Sequence, residues 1–172
     1  METKLIQALL YTLPSIASGF VAFYFFKEYA KSDVGLQKFK LDKEQKKLGI
    51  TLRLQAYERM TLFLERISPA NLVLRIKAQN DDKQAYELSL LHTIETEFEH
   101  NLAQQIYITD ACWSVISTAK NKTAQIVSAC ANDDAVLNAS ELRESIIQKV
   151  INNQAPSDTA LAFIKNEVND LF

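Results

Sequence analysis

The stretch Leu48 to Ile67, LGITLRLQAYERMTLFLERI, sets its apolar residues at helical spacing. Leu52, Ala56, Met60, Phe63 and Ile67 fall on one face, and Leu54, Tyr57, Thr61 and Leu64 on the face beside it. An apolar arc that wide has to be covered from two sides, so the stretch predicts the central helix of a bundle. Glu58-Arg59 recurs seven residues later as Glu65-Arg66. Placed at the edge of the arc, these pairs read as charges that fix packing register. Neither has a histidine at helical spacing with which to form a catalytic pair.

Downstream, start signals divide the chain into further helices. Ser68-Pro69 caps and opens a short helix to about residue 78. Asp81 with Gln84 makes a capping-box pattern for a helix to about residue 106, with an inward stripe of Leu91, Ile94, Phe98, Leu102 and Gln105. Thr109 or Asp110 starts the next, reaching about residue 131. Asn138 with Glu141 starts another, ending near residue 153, and Ser157 or Asp158 caps the last, with Leu161, Ile164 and Val168 inward. The expected fold is all-α: one N-terminal transmembrane helix followed by a bundle of about five to six helices.

Glycine usage supports helices and removes several function classes. All three glycines lie early, at positions 19, 35 and 49. A phosphate-binding loop, a dinucleotide fingerprint and a nucleophile elbow each need glycine where backbone approaches a phosphate or turns sharply, so the last 123 residues hold none of them. The two cysteines, Cys112 and Cys130, share one predicted helix. Their separation of about 27 Å along its axis far exceeds the roughly 7 Å between Cα atoms that a disulfide spans. Unpaired thiols that serve as small buried hydrophobes are the expectation.

One segment invites a chemical reading: HTIETEFEH, His92 to His100. Glu97-x-x-His100 matches a motif that di-iron bundles use twice, but the chain holds only these two histidines, and His100 lies on the far side of the helix from Phe98. His92, Glu95 and Glu99 share a flank and read as a solvated face. No metal ligand, cofactor or catalytic residue is assigned.

Upstream, LIQALLYTLPSIASGFVAFYFF, Leu5 to Phe26, carries no charge. As a helix it is roughly 33 Å long against a hydrocarbon core of about 30 Å, and it ends in the aromatic residues expected at a headgroup boundary. Two other readings exist. A buried core helix is one; a signal peptide cleaved after Gly19 is the other, but it would leave an exposed FVAFYFF. Ala8, Thr12, Ser15, Gly19 and Ala22 recur at spacings of four and three, a stripe of small residues through which a second helix, a copy of itself or a partner subunit, can approach.

Only Lys4 precedes the span, whereas Lys27, Lys31, Lys38, Lys40, Lys43, Lys46 and Lys47 follow it. The positive-inside rule then puts the N-terminus outside and the rest of the chain in the cytoplasm, in a single pass. The expected organisation is a tail over 1–4, the span over 5–26, a lysine-rich juxtamembrane linker over 27–47 and a helical domain over 48–172. The linker carries seven Lys against four acids, and the domain eleven Lys and Arg against sixteen Asp and Glu, a net of minus five. The basic segment suits an anionic bilayer surface, each lysine contributing up to about 1 kcal/mol. Neither the charge nor the aromatic pattern suits nucleic acid.

The segment LQAYERMTLFLERISP, Leu54 to Pro69, behind a single span and a lysine-rich flank, resembles an uncharacterised family of small single-pass membrane-anchored helical proteins of Bacteroidota. The resemblance covers roughly residues 1 to 76 and implies architecture and a bacterial source; it brings no substrate, reaction or site residues. The function expected is that of an interaction protein: a membrane-anchored, cytoplasm-facing scaffold, adaptor or accessory subunit whose partners are the lipid bilayer and a protein. It is expected not to be an enzyme and to have no cofactor or small-molecule substrate. The alternative is a membrane-tethered helical-bundle enzyme or metal-binding protein.

Overall fold

The computed structural model describes residues 2–151 and 155–171, with the side chains of residues 2, 4–10, 12 and 30–36 outside that description. Among the described residues there are seven helices and no strand. They are α1 (Glu2–Ile67), α2 (Pro69–Arg75), α3 (Lys83–Glu99), a 3₁₀ helix (Leu102–Ile106), α4 (Asp110–Ala131), α5 (Ala139–Ile151) and α6 (Pro156–Asn169). The fold is all-α. Among the described residues no helix is long and apolar enough to cross a membrane.

The chain divides into two compact units, Met1–Gly49 and Ile50–Phe172. In the first, every described side chain is exposed. The segment read as a linker, residues 27–47, is helical, because α1 is unbroken from Glu2 to Ile67. Between residues 27 and 49 there is no proline, and Lys, Glu, Gln and Leu favour helix strongly enough to carry Gly35 and Gly49, each costing about 1 kcal/mol relative to alanine.

The second unit is a bundle in which α4 meets α2, α3, α5 and α6, and the end of α1 is buried in it. Ala56, Met60, Phe63 and Ile67 are buried on one face, and Tyr57 and Leu64 on the next. Phe63 packs on Phe98 of α3 with ring centroids 5.6 Å apart, and Phe98 stacks on Trp113 of α4 at 5.1 Å. Tyr57 reaches Glu167 of α6. The two-sided arc therefore has a neighbour on each side. Three of its positions are exceptions: Leu52 in the first turn is 41% exposed, and Leu54 and, further on, Thr61 are half-buried. Leu72 and Val73 of α2, Leu90 and Ile94 of α3, Ile116 of α4, Leu142 and Ile146 of α5 and Ile164 of α6 complete the core.

The caps show which local signals decide helix starts. Thr109 caps α4 by accepting the Cys112 N–H at 3.1 Å. Asn138 and Glu141 form a reciprocal box at α5: Asn138 Oδ1 accepts the Glu141 N–H, and the Glu141 carboxylate accepts the Leu137 N–H. At α3 the cap is Asp82, whose side chain accepts from Gln84 and Ala85. Asp81 instead ties its loop to α5, its carbonyl accepting the Ala139 N–H. At α6 the start precedes Ser157, because Pro156 fixes the first turn behind Ala155. Helix α3 also stops earlier than the stripe predicts. The Asn101 side chain donates to the Glu97 carbonyl at 2.7 Å, the chain tightens into the 3₁₀ helix, and Leu102 and Gln105 face solvent.

Phe63, 1% exposed, should cost about 3 to 5 kcal/mol of unfolding free energy when cut to alanine. His100→Ala, at an exposed position, should change it by less than about 0.5 kcal/mol. Denaturant unfolding of both variants checks this, and comparable losses would mean that the packing around α1 has been misplaced.

Candidate functional site

The residues read as a span and its basic flank lie in the first unit. Ser15, Gly19 and Ala22 are exposed, while the side chains of Ala8 and Thr12 lie outside the described residues. A Cβ placed on Gly19 would meet nothing within 4 Å, so that side of the helix is open. The Ser18 hydroxyl bonds back to the Ser15 carbonyl at 2.9 Å, which satisfies it without solvent. Phe20, Phe23, Phe25 and Phe26 are all exposed, Phe20 to 76%. Lys27, Lys38, Lys40, Lys43, Lys46 and Lys47 are exposed as well, and Lys31 lies outside the described side chains.

The His92 to His100 segment is dispersed by ion pairs. Lys120 takes Glu95 at 2.6 Å and stands 4.7 Å from the centre of the Phe98 ring. Glu97 accepts from Arg75 at 2.7 Å and Arg66 at 3.1 Å. Burial acts to raise the Glu97 pKa, but the two guanidiniums outweigh it and hold the carboxyl below its ordinary value. His92, Glu99 and His100 are exposed. Among the described residues no three His, Cys, Asp or Glu side chains come together to hold a metal ion.

A polar knot that local sequence did not reveal joins three helices. Tyr57 on α1 donates to Glu167 of α6 at 2.6 Å, and the Thr109 hydroxyl at the head of α4 donates to the other carboxylate oxygen. Arg53 in turn donates to the Tyr57 oxygen at 3.1 Å. Burial, then the neighbouring Glu167, push the Tyr57 hydroxyl up to about 12. Burial does the same to the Cys112 thiol, also to about 12, with Glu167 adding to it. A thiol held that firmly in its protonated form is a poor nucleophile. This knot is a fastening between helices.

The second unit also carries an open cleft of about 260 Å³, lined by Arg59, Leu62, Phe63 and Arg66 of α1 and by Glu97, His100 and Asn101 at the end of α3. Phe63 is its buried floor, and Leu62 is 61% exposed. The signal that would have found it is the exposed edge of the opening stretch, Gln55, Arg59, Leu62 and Arg66, at spacings of four, three and four.

A family model described as a family of unknown function (DUF7935) matches residues 3–171, and the chain belongs to that family. No curated protein and no solved structure matches it.

The raised Tyr57 pKa has a consequence for stability at high pH. The unfolded hydroxyl titrates near 10 and the folded one near 12, so the stabilisation is fully present below pH 10 and is lost as pH rises through 12. Denaturant unfolding across that window should show a decline that Tyr57→Phe flattens; an unchanged decline in that variant would assign it to other groups.

Proposed function

We propose that this member of the family is an interaction protein, anchored in a bacterial inner membrane and facing the cytoplasm, that serves as scaffold, adaptor or accessory subunit of a membrane complex. One observation carries the proposal. The first unit presents a continuous apolar surface that no part of its own unit covers, Leu13, Ile16, Phe20, Phe23 and Phe26 being exposed. A surface of that kind calls for lipid or a partner. The uncharged stretch begins at Leu5, among side chains outside the described residues, and its sequence of twenty-two residues matches the length of one span. The lysines from Lys27 to Lys47 supply the cytoplasmic flank and the contact with anionic lipid.

Within the bilayer the proposed docking face is Ala8, Thr12, Ser15, Gly19 and Ala22. Lipid gives no hydrophobic drive between helices, so association depends on close backbone approach and interhelical hydrogen bonds. The open side of Gly19 allows that approach. The occupant is a second copy of the span or a membrane subunit.

Two measurements test this. A reporter active only in the cytosol, fused after Phe172, should be active; activity of an export-dependent reporter there would reverse the orientation. Gly19→Leu fills open space, so it should leave membrane insertion intact yet abolish a crosslinked or co-purifying partner that Phe20→Leu retains. An unchanged partner profile for Gly19→Leu would reduce the span to a tether.

A further inference from the structure

The cleft beside α1 has a charge opposite to that of its unit. Two guanidiniums, Arg59 and Arg66, and one carboxylate, Glu97, line it, and the carboxylate is already paired with Arg66 and with Arg75 of α2. Arg59 has no hydrogen-bond or ion-pair partner among the described residues. The surrounding domain, by contrast, carries eleven Lys and Arg against sixteen Asp and Glu. The cleft is therefore a locally cationic groove on an acidic body.

Its α1 wall has a helical period. Arg59, Leu62 and Arg66 line the cleft, and Leu52 and Gln55 continue the same exposed row beyond it, the five following one another at spacings of three, four, three and four on the flank of α1 next to the buried Phe63. Spacings of three and four are those by which one helix reads another, and these five residues span about 21 Å. Three positions offer apolar or neutral contact, and two offer guanidiniums. Across the groove, Asn101 and His100 close the end.

From this we propose that the cleft is a docking site for an amphipathic helix of a partner protein, one whose apolar seam is interrupted by Asp or Glu side chains set to meet Arg59 and Arg66. The proposal rests on the reading of the chain as an interaction protein and specifies which face of the second unit it uses. Three occupants compete, and charge separates them. A second copy aligned in parallel would set Arg59 and Arg66 against their own equivalents, which is repulsive. An anionic bilayer is repelled by a unit of net charge minus five, whereas a helix enters the cleft alone. A partner with carboxylates at the matching positions has neither difficulty, and its leucines pack on the exposed Leu62. Arg66, held by Glu97, presents its free edge in a fixed place, while Arg59 supplies the unsatisfied charge.

The probes are two synthetic three-heptad helical peptides with leucine on one seam position and either glutamate or lysine on the other. Binding to the full chain in neutral nanodiscs is followed by fluorescence anisotropy. The wild-type chain should prefer the glutamate peptide, and Arg59→Glu, which removes an unpartnered exposed side chain, should weaken that peptide about tenfold or more while favouring the lysine peptide. Leu62→Ser should weaken both, and the circular dichroism and melting of each variant confirm its fold. Equal affinity for the two peptides, or no effect of Arg59→Glu, overturns the proposal. So does self-association of the wild-type chain lost in Arg59→Glu, which would make a second copy the occupant. Phosphatidylserine vesicle binding lost in that variant, with neither peptide bound, would give the cleft to the membrane and equally overturns it. Failure of these arms while a protein still co-purifies with the full chain removes only this site; a full chain that co-purifies nothing removes the interaction reading itself.

Discussion

The burial of two adjacent faces at the end of α1 is the constraint on which the second unit depends. A helix buried on one stripe can lie at the edge of a bundle, but Met60 and Phe63 on one face and Tyr57 and Leu64 on the next require cover from two directions. Helix α3 supplies one through Phe98, and α6 supplies the other through Glu167. With those two in place, Trp113 stacks against Phe98, and Thr109 at the head of α4 bonds the same Glu167 that holds Tyr57. One helical phase thus decides which residues of three other helices meet.

Magnitudes assign the work. Each fully buried Leu, Ile, Met or Phe contributes about 1.5 to 3 kcal/mol relative to exposure, whereas an exposed ion pair contributes about 0 to 1 kcal/mol. Packing therefore holds the bundle, and the pairs of Glu95 with Lys120 and of Glu97 with Arg66 and Arg75 set how α3 is aligned against its neighbours. The same pairs explain the quietness of the His92 to His100 segment. Glu95 and Glu97 are already occupied by cations from other helices, and its histidines and Glu99 are exposed. Acidic and imidazole groups that are adjacent in sequence are thus separated in function by what each one faces.

What could be read from sequence was local. Thr109 and the Asn138–Glu141 pair identify helix starts because each cap bonds within three residues of itself, and the core phase over Ala56 to Ile67 follows from a period. What could not be read was either distant or a competition. Glu167 is 110 residues from Tyr57, and nothing near either announces the other. Asp81 and Asp82 are equally good caps until the Asp81 carbonyl is claimed by Ala139. Residues 27–47 read as a linker because they are charged, yet Lys, Glu and Gln are also good helix formers, and with no proline to stop it α1 continues through them. The stripe through Leu102 and Gln105 failed because a periodic pattern does not reveal where a side chain such as Asn101 will end a helix.

The exposed flank of α1 raises a different question, that of how a small apolar surface acquires specificity. Leu52 and Leu62 are two leucines, and scattered exposed leucines are ordinary on protein surfaces. Alone they would hold any apolar segment weakly. The arginines in the same row change the selection, because a partner that brings an apolar residue opposite Arg59 strips its water without replacing it, and one that brings a lysine adds repulsion. The two contributions also act at different moments of an encounter. In the proposed docking a cationic groove on an acidic unit steers an acidic segment during approach, which salt weakens, while the leucines govern how long it stays, which salt affects far less. Selectivity comes from the first and persistence from the second, and both come from the same five positions of one helix.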